Sequence, residues 1–254
     1  MNKMKYSKWE KIVMVISCAV VGVLAFPQIA GAMHIMEGYL PLGHSIVWSV
    51  ISLPFLAFGV IGLRRALAKN KRMLILLAMS GAFIFVISSL KIPSVTGSCS
   101  HMTGTGLSAI LFGPMITCVL GIIVLVFQAI LLAHGGLTTL GANTFSMALA
   151  GPFITWVLYK CGKKANLNKK VNVFVAVLIG SFATYIITAL QLAIAHPSET
   201  GGIAASAASF LGVFAPTQVP LSILEGVLTV LIVIGMESFA EPELREIAFI
   251  EGSK

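Results

Sequence analysis

The residues best suited to chemistry lie immediately after a predicted processing site. Ala30 and Ala32 form an A-x-A cleavage motif, preceded by a lysine-rich start and an apolar run over residues 12–26. This layout is typical of a secretory signal peptide. Cleavage after Ala32 would give Met33 a free α-amine. That amine, the backbone nitrogen of His34 and the Nδ1 of its ring could close two fused chelate rings on one metal ion.

A fourth nitrogen could come from His101, which lies in a stretch rich in glycine, serine and threonine. Small residues around it would let the backbone and an ion approach closely. A planar set of nitrogen ligands that includes a deprotonated amide favours Ni(II), Cu(II) or Co(II). On spacing alone, a surface or hydrogen-bonding role for His101 is the alternative. The hydroxyl groups that could hydrogen-bond to the ring and fix its tautomer belong to Ser98, Ser100 and Thr103.

Two further residues could contribute to the site or to the bundle around it. His134 ends an apolar stretch on the predicted outer side, where it could line an access path for an ion or simply satisfy local carbonyls. Glu225 lies within an apolar stretch, where an acid is costly. We expect it to pair inside the bundle or face a partner subunit, in preference to binding metal. The soft donors Cys99 and Met102 do not fit a planar nitrogen set.

The composition identifies a protein that spans a membrane several times. Of its 254 residues, 57% are hydrophobic and 10% are charged, and the mean hydropathy is +0.98. A soluble core of this size could not bury so much apolar surface. The net charge of +8 is better explained by membrane orientation and contact with lipid headgroups than by binding to nucleic acid.

Apolar stretches predict where the mature chain crosses the membrane. Most are close to the ~20 residues that span a bilayer, whereas 105–134 is longer. Two linkers, 64–72 and 160–170, contain clusters of lysine and arginine without any acid, so both are predicted to be cytoplasmic. The predicted stretches are 44–63, 73–90, 105–134, 141–159, 172–195 and 217–236.

The predicted sides of the membrane decide how many crossings there are. With the processed terminus outside, the loop 92–104 is also outside. The chain must then cross inward and return before the second basic linker. Gly113-Pro114 would end a helix between the two crossings. We therefore expect two shortened spans, about 103–113 and 115–134, or a re-entrant hairpin with the same parity.

These inferences predict an all-α polytopic membrane protein with about seven transmembrane helices after signal cleavage and a cytoplasmic carboxyl terminus. Residues 1–32 would form the cleaved signal peptide and 33–254 a single transmembrane substrate-binding domain. The loop 196–216 is expected outside, with a short surface helix. The sequence contains no P-loop, Rossmann fingerprint or H-E-x-x-H motif, and its cysteines lack C-x-x-C spacing. Neither ATP hydrolysis nor zinc-dependent proteolysis is therefore indicated.

Three segments resemble the CbiM family, the substrate-capture (S) components of energy-coupling-factor (ECF) cobalt transporters. The resemblance covers essentially the mature chain, and the first two motifs are specific in combination. They are Met33-His34-Ile35-Met36-Glu37-Gly38-Tyr39-Leu40-Pro41, the loop Gly97-Ser98-Cys99-Ser100-His101 with Thr103-Gly104-Thr105-Gly106-Leu107 and Phe112-Gly113-Pro114, and the run Ala133-His134-Gly135-Gly136 with Gly141-Ala142-Asn143-Thr144.

The resemblance implies a fold and a site. The fold would be the helical bundle of an ECF S component. The metal would be held by the amine of Met33, the amide and imidazole of His34, and His101, although Met102 stands where the family would have proline. Co(II) would be the transported substrate rather than a cofactor, imported for cobalamin synthesis, and Ni(II) is the alternative ion.

The resemblance also implies partners and a location. The partners would be a transmembrane coupling (T) subunit, ATP-binding cassette subunits that hydrolyse ATP, and a small accessory membrane protein. The location would be the plasma membrane of a bacterial or archaeal cell, with the mature amino terminus outside. The chain itself would be no enzyme. A metal-dependent intramembrane enzyme and a channel or receptor are the competing function classes.

Overall fold

The computed structural model describes residues 34–71, 73–90, 92–93, 99–247 and 249. The predicted signal peptide, its cleavage site, Met33 and Ser98 lie outside the described residues. What the sequence indicates for them therefore stays a prediction.

Helices make up nearly all of the described chain. The first four are α1 (Leu42–Lys69), α2 (Met73–Ser89), α3 (Thr105–Phe112) and α4 (Pro114–Leu132). A continuous run then contains α5 (Leu140–Asn143), a π-helical segment (Thr144–Ala150) and α6 (Gly151–Lys164). The last three are α7 (Lys169–Ala195), α8 (Gly202–Phe239) and α9 (Glu241–Glu246). Two short strands, β1 (Ile92–Pro93) and β2 (Cys99–Ser100), pair antiparallel.

The outer surface of the helices is apolar, as lipid surroundings require. Leu42 and Phe58 of α1 are 69% and 65% exposed. The buried residues of the same helix are small, namely Ser45, Ser52 and Gly59. Small residues that pack inward and large apolar ones that face outward are typical of membrane helices. This confirms the predicted all-α membrane protein.

Four described helices, α1, α4, α7 and α8, are long and apolar enough to cross a bilayer. α2 is apolar but shorter, with 17 residues. The predicted span 141–159 falls on the run from α5 to α6, which the π segment divides. Each of the other predicted spans also overlaps a helix, but the total of seven crossings stays a prediction.

The segment 103–113, expected as a shortened span or as part of a re-entrant hairpin, contains only a short helix. α3 has eight residues and rises about 12 Å, less than half of the ~30 Å hydrocarbon core. The chain reaches α3 through residues 100–104, which are buried and not helical. The loop expected at the outer surface therefore enters the bundle at its carboxyl end, and α3 is a half-helix.

The loop predicted over 196–216 is largely helical, so the prediction of a separate surface helix is wrong. α8 runs without interruption from Gly202 through Pro216 and Pro220. Proline is tolerated inside membrane helices because side chains and neighbouring helices satisfy the backbone groups that it frees. In this helix the hydroxyl of Thr217 donates to a carbonyl one turn earlier, at 3.0 Å.

The two ends of the bundle differ in chemistry. α1 and α6 end in the basic linkers at Lys69 and Lys164, and α7 begins there at Lys169. α7 ends next to His196, whose Nε2 donates to the carbonyl of Tyr39 at 2.8 Å. The amino-terminal segment, which precedes α1, therefore lies at the opposite end from the basic linkers.

α7 is the central helix of the core. It packs against α6, α8 and the π segment, and also contacts α3. Val173 and Val177 of α7 form one apolar cluster with Leu107 of α3 and Val233 of α8. A second cluster joins α7 to the amino-terminal segment through Ile35. The segment before α1 and helix α3 are thus both packed against one helix.

Candidate metal centre

Three histidines from distant parts of the chain meet inside the bundle. His34, His101 and His134 are 2%, 0% and 3% exposed. One ring nitrogen from each lies within 4.8 Å of the others. Nitrogen ligands sit about 2.0–2.1 Å from an ion such as Zn²⁺, so two ligands of one ion are at most about 4.2 Å apart. A small closure would therefore bring all three rings onto one ion.

The rings of His34 and His101 stack, with centroids 4.4 Å apart and an interplanar angle of 16°. His134 meets both rings edge-on, at centroid distances of 4.4 Å from His34 and 4.8 Å from His101. Its Nε2 lies 3.1 Å from Nδ1 of His34. That spacing suits a hydrogen bond and equally suits two nitrogens bound to one ion.

The tautomer of His101 follows from its contact with the backbone. Nδ1 of the ring is 2.8 Å from the carbonyl oxygen of Met102. A carbonyl can only accept, so Nδ1 carries the proton. In a neutral imidazole this leaves the lone pair on Nε2, the nitrogen available to a metal.

The tautomer of His34 follows in the same way from Met147. Nε2 of His34 is 3.0 Å from the sulfur of Met147, and a thioether has no hydrogen to donate. The proton therefore lies on Nε2 and the lone pair on Nδ1, the atom that the predicted chelate requires. Met147 lies within the π segment and is 2% exposed. Such π-helical turns occur frequently at functional sites.

The backbone next to His34 is held by polar side chains at either end of the short helix α5. The amide of Asn143 accepts from the N–H of Ile35 at 2.8 Å and donates to the carbonyl of Ile35 at 3.0 Å. The hydroxyl of Thr139 donates to the same carbonyl at 2.6 Å. All three groups are buried, so these bonds fix the position of the segment that carries His34.

The loop between α4 and α5 lies directly against the same segment. A Cβ at Gly136 would come within 2.6 Å of Cα and 2.7 Å of the backbone nitrogen of Glu37, so only glycine fits. The N–H of Thr138 donates to the Glu37 carboxylate at 3.2 Å. Hydrogen bonds from the side chain and backbone of Thr138 lower the pKa of Glu37. The carboxylate is therefore ionised at neutral pH and fastens the segment to the loop.

The described hydroxyl groups predicted to orient the His101 ring bond elsewhere. Ser100 Oγ lies 2.6 Å from Thr217 Oγ1. Thr103 Oγ1 donates to Glu225 at 2.5 Å. A backbone carbonyl orients the ring instead. Sequence motifs specify side chains, but they do not show which carbonyl turns toward a ring.

Glu225 supports the backbone beside the histidine cluster. The residue is 1% exposed, and its carboxylate accepts hydrogen bonds from Thr103, Gly104 and Ser181. The sequence left open whether Glu225 pairs inside the bundle or faces a partner subunit. These contacts lie inside the bundle, so they favour the first alternative.

The sequence singled out the region around His134 but did not predict that its ring contacts the other two histidines. The sequence left open an access path or hydrogen bonds to local carbonyls for this histidine, and the structure places its ring against both other histidines. The available signal was Gly135-Gly136, since paired glycines mark a close backbone approach. Met147 had no such signal, because a methionine in an apolar helix has no distinctive spacing.

Comparison with known proteins gives close relatives. A family model described as "Cobalt uptake substrate-specific transmembrane region" (CbiM) matches residues 34–243. The chain is 56% identical over 246 residues to the "Cobalt transport protein CbiM" of Lachnoclostridium phytofermentans, which covers 97% of this chain and 98% of that protein. It is 58% identical over 211 residues to the protein of the same name from Chlorobium limicola, covering 83% of each.

A solved structure has the same fold. It is described as "Crystal Structure of an Truncated Transition metal Transporter", and it superposes with a TM-score of 0.72 at 25% identity, covering 81% of this chain and 98% of that chain. The family match includes all three clustered histidines. The chain therefore belongs to the CbiM family of substrate-specific transmembrane components of cobalt uptake, and it is a transport component rather than an enzyme.

Proposed function

We propose that the chain captures Co(II) at the outer face of a bacterial or archaeal plasma membrane, as the S component of an ATP-driven ECF importer that supplies cobalamin synthesis. The observation that carries this proposal is the buried meeting of His34 and His101. Polar rings are costly to bury unless they are satisfied. A metal ion shared by ring nitrogens from distant segments, which lie within 4.8 Å of one another, would be such a partner.

The proposed ligands are the α-amine of Met33, the backbone nitrogen and Nδ1 of His34, and Nε2 of His101. The contacts at the far ring nitrogens support this set. Met147 leaves the lone pair of His34 on Nδ1, and the carbonyl of Met102 leaves that of His101 on Nε2. Deprotonation of the amide would place a negative charge next to the ion, which lowers the net charge of the complex and the cost of burying a dication.

We assign His134 to the path by which the ion reaches the chelate. Its Nε2 lies 3.1 Å from Nδ1 of His34, close enough to pass the ion on. The same distance supports a second candidate, in which His134 replaces His101 as the fourth ligand. The two candidates differ in which histidine is needed for equilibrium binding.

Orientation and partners follow from processing and charge. A cleaved signal peptide would leave the mature amino terminus outside. The basic linkers at the opposite end of the bundle would then be cytoplasmic. Lys169, in the second linker, pairs with Glu237 near the end of α8, which places the carboxyl-terminal part at the same end. The T subunit and ATP-binding cassette subunits would act there, with a small accessory membrane protein completing the complex.

The identity of the transported ion is inferred from the relatives and from ligand chemistry. The similar proteins are named cobalt transport proteins, while a planar nitrogen set suits Ni(II) as well as Co(II). Uptake by cells that express the whole complex, with both ions supplied at equal concentration, separates the two. We expect cobalt to accumulate in excess of nickel, and the reverse ratio would assign the transporter to nickel.

Titration of the purified, processed protein with Co(II) tests the site itself. His101→Ala should abolish tight binding with membrane insertion preserved, because the chelate loses its fourth nitrogen. His134→Ala should bind at equilibrium but more slowly. His44→Ala is the matched control, since this half-buried histidine of α1 lies outside the cluster. Loss of binding in His134→Ala, with binding kept in His101→Ala, would place the fourth ligand on His134.

A further inference from the structure

The Glu225 carboxylate accepts four hydrogen bonds inside the bundle. Oε2 accepts from the backbone N–H of Thr103 at 2.8 Å and from Ser181 Oγ at 2.9 Å. Oε1 accepts from Thr103 Oγ1 at 2.5 Å and from the N–H of Gly104 at 2.8 Å. Three of the four donors belong to the two residues that follow Met102. An ionised carboxylate only accepts hydrogen bonds, so it suits a site where every neighbour is a donor.

These bonds satisfy backbone N–H groups in the non-helical segment before α3. Residues 100–104 are buried and not helical, so they lack the internal hydrogen bonds of a helix. Non-helical backbone at membrane depth is tolerated only where protein groups or water satisfy it. Gly104 also adopts a φ of +69°, and a Cβ there would meet Cα of Ile84 at 3.0 Å. The segment is therefore tightly constrained on more than one side.

One peptide unit joins the carboxylate to the histidine. The carbonyl of Met102 and the N–H of Thr103 belong to the same planar, trans peptide, so they point in opposite directions. The N–H faces Glu225, and the carbonyl accepts from Nδ1 of His101 at 2.8 Å. A carboxylate that fixes one side of this plane also fixes the other.

We propose that Glu225 is a positioning residue for metal capture. By holding the Met102–Thr103 peptide, it keeps Nδ1 of His101 as the hydrogen-bond donor and presents Nε2 to the ion. The inference rests on the proposed function, because it gives His101 the role of ligand. Since Glu225 lies on α8 and also binds Ser181 of α7, it ties the position of this ligand to the central helix pair.

The first test is the tautomer of His101 in protein without metal. Nitrogen NMR of protein with labelled histidine rings separates protonated from lone-pair nitrogens, and His101→Ala identifies the signals. The protein should show Nδ1 protonated, whereas Glu225→Gln should mix both tautomers, because its amide group turns a donor toward the backbone N–H groups. Thr229→Val is the control, since Thr229 is buried on α8 and donates only to its own helix. An unchanged His101 tautomer in Glu225→Gln would overturn the inference, whatever the ion binding shows.

The second test is Co(II) affinity in a double-mutant cycle. Glu225→Gln should weaken binding by about 10- to 100-fold, as for other residues that orient a ligand. His101→Ala leaves only the weak binding of the terminal nitrogens, measured at higher Co(II) concentration, and there Glu225→Gln should cause no further loss, since the residue it positions is gone. Equal loss in both backgrounds would mark a general structural role and overturn the inference. Absence of binding to the unaltered protein would instead overturn the proposed function.

Glu225→Asp provides a second test in case Glu225→Gln fails to fold. It keeps the negative charge but shortens the side chain by one methylene group, so the carboxylate no longer reaches both backbone N–H groups. We expect a mixed tautomer and weakened binding here too. Full affinity and an unchanged tautomer in Glu225→Asp would show that position is unimportant and would contradict the proposal.

Discussion

The sulfur of Met147 and the carbonyl of Met102 each accept a hydrogen bond from the ring nitrogen that is not proposed to bind the ion, in His34 and His101 respectively. The two contacts leave Nδ1 of His34 and Nε2 of His101 with their lone pairs. Each ring could otherwise present either nitrogen, and the wrong choice would break the proposed chelate. Groups that do not bind the ion therefore decide which atoms can.

Met147→Leu tests this at His34. The change conserves volume but removes the sulfur that accepts from Nε2, so we expect Co(II) affinity to fall by about 10-fold or more. Met79→Leu is the matched control, because Met79 is 57% exposed on α2. Titration of both variants beside the unaltered protein measures the difference. Equal affinity in all three proteins would show that Met147 only fills space.

Side-chain chemistry was the predictable part of the site. His34 and His101 were identified as a pair from their residue types and neighbours, and the structure brings their rings together. The support around them was not predictable, because it depends on a backbone carbonyl and on a methionine without a distinctive pattern. The role of Glu225 required knowing that a buried, irregular backbone lies beside it.

At the scale of elements, the segment 34–41 before α1 is held by α5 and by the loop between α4 and α5, and we call this segment the strap. Asn143 and Thr139 bind the backbone of Ile35, and Gly136 packs directly on Glu37. The strap carries His34, so any displacement of the loop would move a proposed ligand.

Gly136→Ala tests the strap. Its Cβ would overlap the backbone of Glu37, and overpacking typically costs about 1–3 kcal/mol. We expect Co(II) affinity to fall by roughly 5- to 150-fold, while the thermal stability of the bundle changes little. Gly43→Ala is the control, since a Cβ there meets nothing within 4 Å. A Gly136→Ala protein that binds as tightly as Gly43→Ala would show that the close approach is unnecessary.

Helix existence was more predictable than helix ends. Apolar stretches predicted α1, α2, α4 and α7, because the length of a membrane helix is set by the thickness of the bilayer. Proline marks a helix boundary at one place in this chain and lies inside a helix at another. Gly113-Pro114 does separate α3 from α4, whereas Pro216 and Pro220 lie inside α8. The sequence does not distinguish these cases, since the difference lies in whether neighbouring groups satisfy the freed carbonyls.

At the scale of the whole molecule, the histidine cluster and the basic linkers lie at opposite ends of the bundle. Helices α1 and α6 run from the cluster toward the linkers, and α7 returns. Capture at one end and energy input at the other would then be separated by the length of the bundle. Such a separation requires one orientation of the protein in the membrane.

Cysteine labelling tests that orientation. In a background with the native cysteines replaced by alanine, we expect Glu199→Cys to react with a membrane-impermeant maleimide in intact cells. Leu167→Cys, between the lysines of the second basic linker, should react only after the cells are opened. Both positions are exposed, so accessibility alone does not separate them. Labelling of Leu167→Cys in intact cells would mean that the basic linker faces outward.

The most direct test of capture at a processed terminus compares two forms of the protein in one Co(II) titration. Ala32→Trp should block cleavage and retain the signal peptide, which mass spectrometry verifies. The processed protein is predicted to bind Co(II) tightly, and the uncleaved protein to remain in the membrane without tight binding, because Met33 then has no α-amine to offer. Equal affinity in the two forms, with the signal peptide still attached in one, would contradict the account.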